Sequence, residues 1–217
     1  MDMDALFSHR RSVGAVLVAM ISLSGIGSAV VTAGSASATT SVVPCTTRVE
    51  SAPFASWGDT HPYFLMPNGG FEAGAASWAL AGGAAVGSGN ESYFANTAAD
   101  SHSLVLPAGS QATSSTVCVG RDETSFRFFV KNPAVNGAQL RVQAIVQDPQ
   151  TGKISTTSST VNGSASGTAW SPTAVIHLPN PSASGTGTQN VTLVFSTGGA
   201  PAKWSIDDVF IDPFRMR

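Results

Sequence analysis

Charge is scarce in this chain. Eleven Lys and Arg and thirteen Asp and Glu are spread over 217 residues, so charged side chains make up 11% and the net charge is −2. There is no basic stripe to follow a phosphate backbone and no polybasic cluster to hold anionic lipid. Nucleic acid is therefore excluded as an expected partner. Histidine is equally thin: beyond His9 there are only His61, His102 and His177, each isolated. Without a His-x-His or His-Glu-x-x-His arrangement a catalytic zinc site has no ligand set. The Gly-x-Ser-x-Gly elbow of α/β-hydrolases is missing too. Asp207 and Asp208 are neighbours in a strand-like stretch, so they point to opposite faces and cannot simply form a glycosidase pair. Glu91, Asp100, Glu123 and Asp148 fall in turn-like stretches, where solvent is the expected environment. These absences predict a protein that is not an enzyme.

Cysteine is limited to Cys45 and Cys118, and long apolar runs to one, near the start. Arg10 and Arg11 precede an apolar stretch at 13–31, and Ala36-Ser37-Ala38 supplies a small-residue cleavage site. Residues 1–38 therefore read as a secretory signal peptide, whose removal leaves about 179 residues, enough for one domain with a core. No other apolar run is long enough to cross a bilayer, so the expectation is a secreted, extracellular protein with no membrane attachment after cleavage. An exported chain with one cysteine pair implies a disulfide. Closing a loop of roughly 70 residues, it would contribute about 4 kcal/mol on the chain-entropy model.

Helical periodicity over three turns is absent as well. What is there instead is alternation. Phe126, Phe128 and Val130 form one run, and Leu140, Val142, Ala144 and Val146 a second. Val191, Leu193 and Phe195 form a third, and a terminal run starts at Trp204. Polar residues alternate with them, among them Arg127, Lys131, Arg141, Gln143 and Gln147, which predicts strands with one wet face. Shorter strands are expected at 78–80, 103–106, 110–119, 155–161 and 173–178, and Asp148-Pro149-Gln150-Thr151-Gly152 is a hairpin turn. Residues 39–67 lack any period and read as an irregular N-terminal leader pinned by Cys45, with the β-sandwich domain at 68–217. About eight to ten strands are expected, packed as an antiparallel β-sandwich.

Several motifs occur in a telling order. Asn68-Gly69-Gly70-Phe71-Glu72 is followed by Trp78, then Ser103-Leu104-Val105-Leu106, then Phe126-Arg127-Phe128 leading to Val130-Lys131. Trp170-Ser171-Pro172 and the closing Ile206-Asp207-Asp208-Val209 complete the series. Together they resemble the carbohydrate-binding modules with a galactose-binding-like jelly roll, over residues 67–213. The Ser-, Thr-, Gly- and Ala-rich composition, with this style of signal peptide, resembles secreted proteins of high-GC Gram-positive bacteria.

The resemblance implies an all-β jelly roll whose first and last strands lie together, clipped in many relatives by a calcium ion. Glu72 and Asp208 are chemically apt side-chain ligands for it, with Asn68 or Asp207 completing an oxygen shell. Asp208 shares parity with Ile206, which aims it inward unless a bulge intervenes. The resemblance also implies a non-catalytic module whose partner is a polysaccharide or cell-wall glycan. Sugar binding calls for aromatic faces and planar polar groups. Trp57, Tyr63, Tyr93 and Trp170 are the aromatic candidates, Tyr93 and Trp170 foremost. Arg141, Gln143 and Gln147, with Arg127, are the polar ones. The alternative is a structural or interaction protein of the bacterial cell surface that uses the same scaffold without binding sugar.

Overall fold

The computed structural model of the chain describes residues 45, 48–166, 168–181, 187–198 and 202–212. The expected signal peptide lies outside these. Among the described residues no helix is long and apolar enough to cross a membrane. The described residues form fourteen strands: β1 (Glu50–Ser51), β2 (Tyr63–Leu65), β3 (Trp78–Ala81), β4 (Ala85–Ser88), β5 (His102–Leu106), β6 (Gln111–Ser114), β7 (Val117–Gly120), β8 (Ser125–Lys131), β9 (Gln139–Gln147), β10 (Ile154–Asn162), β11 (Trp170–Pro172), β12 (Ile176–His177), β13 (Thr188–Thr197) and β14 (Trp204–Asp212). The higher count than expected comes from four short strands that carry no alternation to read, β1, β2, β4 and β11, and from 110–119 breaking into β6 and β7; 173–178 keeps only β12.

All pairings are antiparallel, and the strands form two sheets, as expected for a jelly-roll β-sandwich. One sheet runs β10-β9-β13-β6-β3, with β7 also on β13. In the other, β14 is central. It pairs with β8 on one side and with β5 and then β2 on the other, while β4 extends β5 and β11 and β12 extend β8. The hairpin at 148–152 is present, with Gln147 opposite Ile154 and Gly152 at φ 69°.

The alternating residues do what their period implies. Phe126, Phe128, Leu140, Val142, Val191, Leu193, Phe195, Trp204 and Ile206 pack into one core between the sheets. Fully burying each such side chain contributes about 1.5–3 kcal/mol. Strand β8 is the exception to one-wet-face alternation. Its outward residues Arg127 and Phe129 are buried as well, and only Lys131 is exposed. The reason is a second apolar cluster on the outer side of that sheet: Phe54, Tyr63, Phe129, Trp170 and Phe210.

Two of that cluster's five residues, Phe54 and Tyr63, come from the segment expected to be irregular. Residues 48–67 contribute β1, β2 and a short 3₁₀ turn at Ala55–Trp57 that delivers Phe54 onto the sheet. Phe54 stacks on Phe129 at 5.3 Å and meets Tyr63 edge-on at 4.9 Å. So the leader belongs to the sandwich, and a boundary at residue 68 cuts through packed structure. Short segments with aromatics at irregular spacing carry no period to read. The Cys45–Cys118 disulfide is present, with Cα atoms 5.0 Å apart, and ties the leader to β7 as expected.

Candidate functional site

The terminal carboxylates are the most unusual local feature. Register along β14 breaks between Asp207 and Phe210, and Asp208 sits in the bulge with φ 47°, a conformation Asp and Asn tolerate better than most residues. The bulge resolves the parity problem, for Val209 points into the core in place of Asp208. Asp207 pairs across the strand with Phe129, on the outer face, beneath the loop at 89–96. Both carboxylates are wholly buried.

Asp207 accepts hydrogen bonds from the amides of Glu91 and Asp208, each at 2.9 Å. Asp208 accepts one from the amide of Asn96 at 3.2 Å, and its Oδ1 has no partner. Burial, then the Asp208 charge, pushes Asp207 up to about 9, and Glu91 adds to this. Burial, then Asp100 and Glu91, pushes Asp208 up to about 7. Glu91, Asp100, Glu123 and Asp148 were expected in solvent; all four are buried. Glu123 and Asp148 are matched by Arg48 and Arg121. Glu91 has only backbone amides, those of Tyr93 and Ala95. Asp100 has the side-chain amide of Asn96 at 2.9 Å. Glu91, Asp100, Asp207 and Asp208 thus gather, and among the described ion pairs no basic side chain answers any of them, an arrangement electrostatics opposes.

The expected calcium ligands divide. Asn68 is committed elsewhere: its side chain holds the turn through Ala73, Gly74 and Ala76. Glu72 accepts the amides of Ser101 and His102 at 2.8 and 2.7 Å and meets the His102 ring at 2.9 Å. Desolvation opposes its charge, yet these bonds outweigh it and hold the carboxyl below its usual range. Asp207 has both oxygens engaged, and Asp208 alone keeps a free one. A Cβ placed on Gly70 would come 2.9 Å from that oxygen and 3.8 Å from Asp100 Oδ2, so glycine leaves space there. Among the described residues no group of three or more His, Cys, Asp or Glu side chains could hold a metal by itself. A calcium ion would therefore rely on Asp208, with Asp100, plus backbone carbonyls and water. An all-oxygen donor set of that kind suits calcium. Sequence reading missed Asp100 because nothing in its turn marks which strand end it meets.

The expected sugar contacts divide as well. Strand β8 and strand β9 lie in different sheets, so they are not neighbours. Arg141, Gln143 and Gln147 are on the outer side of one sheet, where Arg141 bonds Ser158 at 3.2 Å. Tyr93 and Trp170 are on the outer side of the other. Arg127 is no wet-face residue: it pairs with Asp59 at 2.6 Å, bonds the Thr173 carbonyl and lies 4.2 Å over the Phe54 ring. Tyr63 is buried in the outer cluster, and Trp170 is 9% exposed.

Trp57, Tyr93 and Phe94 stand clear, at 38%, 47% and 51% exposure. Trp57 and Tyr93 meet edge to face at 4.7 Å, and Tyr93 donates its hydroxyl to the Trp170 carbonyl at 3.0 Å. Trp170 in turn lines a groove of about 410 Å³ on the outer face of the sheet, together with Lys131, Ser205, Ser103, Asn90 and Lys203 among others. Trp57, a platform candidate by residue type alone, is thereby brought beside Tyr93.

No family profile and no curated protein sequence matches this chain. Solved structures do resemble it. A family 61 carbohydrate-binding module in complex with β-1,4-galactotriose is 15% identical, with a TM-score of 0.44 over 68% of this chain and 96% of that one. The CBM22-1–GH10 modules of xylanase 10B from Clostridium thermocellum, complexed with xylohexaose, are 18% identical at 0.44, covering 68% of this chain but 28% of that one. The K3 adhesin domain of Lys-gingipain from Porphyromonas gingivalis is 15% identical at 0.43, covering 68% and 99%.

Proposed function

We propose that this chain is a secreted, non-catalytic glycan-binding module whose binding surface is the groove beside Trp57 and Tyr93. The observation that carries the reading is exposure. Most large aromatics of the sandwich are buried, whereas Trp57, Tyr93 and Phe94 remain accessible, and Tyr93 bonds the carbonyl of Trp170, which lines a groove together with Ser, Asn, Thr and Lys side chains. A pyranose ring offers an apolar face and a rim of hydroxyls, and this surface presents partners for both. The neighbouring carboxylate cluster supports a structural calcium ion at Asp208, which would fix the loop at 89–96 that carries Tyr93.

Pull-down on insoluble polysaccharides and a glycan array, each with calcium and with chelator, test the reading. Trp57→Ala and Tyr93→Ala should each weaken binding by about tenfold, the scale of one lost aromatic contact, while leaving the fold intact by circular dichroism. Unchanged affinity in both variants would move the site elsewhere. If no glycan binds the folded, calcium-loaded protein, the structural or interaction role takes its place.

A further inference from the structure

The groove has a sign. Among the residues that line it there are two lysines and no Asp or Glu. The whole chain has only three lysines, Lys131, Lys153 and Lys203, so two of them meet on one surface feature. Elsewhere Arg48, Arg121 and Arg127 each face a carboxylate, and Arg141 bonds Ser158 on the other sheet. The described ion pairs include no lysine.

Placement follows from register. Trp170 lies opposite Lys131, Lys131 opposite Ser205, and Ser205 opposite Val105, which in turn faces Ala85. This row crosses five strands on the outer face, about 19 Å at the usual strand spacing. That is room for an extended oligosaccharide rather than a single ring. Lys131 carries its ammonium 6.0 Å from the Trp170 ring centre. Lys203 stands two residues before Ser205, hence diagonal to Lys131, a separation that long side chains can bridge. Asn90 also lines the groove.

We infer that the groove selects an acidic polysaccharide, with Lys131 and Lys203 binding the carboxylates of uronate rings. This rests on the glycan-binding reading and narrows it to charged sugars. Two ammonium groups on a shallow wall give charge-assisted hydrogen bonds to a carboxylate, and a neutral sugar cannot replace that interaction. Binding is correspondingly salt-sensitive, because the lysines are exposed.

Calorimetry with a soluble oligogalacturonide, its methyl ester, a neutral galacto-oligosaccharide and inorganic polyphosphate tests the assignment. The oligogalacturonide should bind, lose about tenfold in affinity on methyl esterification, and weaken between 50 mM and 500 mM salt. Lys131→Gln and Lys203→Gln should each cost about fivefold for the acid, with melting temperature unchanged. Lys153→Gln, on the far hairpin, should cost nothing. Equal binding of acid and ester, or of wild type and both groove variants, overturns the charge selection. Neutral sugars binding in the absence of acid binding would do the same while leaving the glycan-binding function standing. Polyphosphate binding at these lysines without uronate binding would overturn the carboxylate assignment. No binding to any glycan would remove both readings together.

Discussion

Replacing Asp208 by Asn should raise stability without calcium and remove most of the gain that calcium gives. The backbone hardly objects, because Asn tolerates the φ of 47° found there, and its carbonyl can still accept the Asn96 amide. What changes is charge. Asp208 is pushed from 3.8 to about 7 by burial and by Asp100 and Glu91. Each tenfold change in a protonation equilibrium is about 1.4 kcal/mol, so holding this carboxylate ionised at pH 8 costs on the order of 4 kcal/mol. In chelator, Asp208→Asn should therefore raise stability by a few kcal/mol, and the midpoint by roughly 10 °C. With calcium at a hundredfold excess over Kd the wild type should gain about 2.7 kcal/mol, and the variant should gain little, having lost its anionic ligand. Magnesium should substitute poorly, since it demands a tighter octahedron and keeps its waters. Thermal melts of both proteins at pH 8, in chelator and in millimolar calcium, decide the matter. Superimposable wild-type curves on metal-free protein would refute the cation site. A variant destabilised equally in both buffers would refute the charge argument as well.

Two further outcomes follow from the leader. Desolvation works against the Asp59 charge, but hydrogen bonds from Tyr63, Arg127 and His61 outweigh it and hold the carboxyl below its ordinary 3.8. A lowered folded pKa stabilises above the unfolded value, and that stabilisation is lost as pH falls through the folded one; urea midpoints from pH 6 to pH 2 should show a loss below about pH 4 that Asp59→Asn largely lacks. An identical pH profile in the variant would sink this. The Cys45–Cys118 bridge spans 73 residues, so Cys118→Ala should lose about 2–5 kcal/mol by urea unfolding; a loss under about 1 kcal/mol would mean the leader is held by its aromatic packing alone.

Much of the fold was written in local pattern. Period-two alternation at 126–130, 140–146, 191–195 and from 204 onward names a strand and its buried face directly, because burial acts on every second side chain. The hairpin at 148–152 was equally legible, since Pro and Gly restrict the backbone whatever surrounds them. The disulfide followed from a single cysteine pair in a chain expected to be exported. Which strands become neighbours did not follow, because pairing depends on contacts between distant segments. Only the tertiary structure put β8 and β9 in different sheets, which separated Arg141, Gln143 and Gln147 from Tyr93 and Trp170. It also turned the leader into the cover of an outer apolar cluster, buried Arg127 against Asp59, and drew Asp100 and Glu91 toward Asp208. The bulge at Asp208 shifts every later side chain of β14 by one face, and no alternation count reveals where a strand inserts its extra residue. The groove likewise exists only where β4, β5, β14, β8 and β11 lie side by side, so the meeting of Lys131 with Lys203 is a property of the sheet and not of the chain.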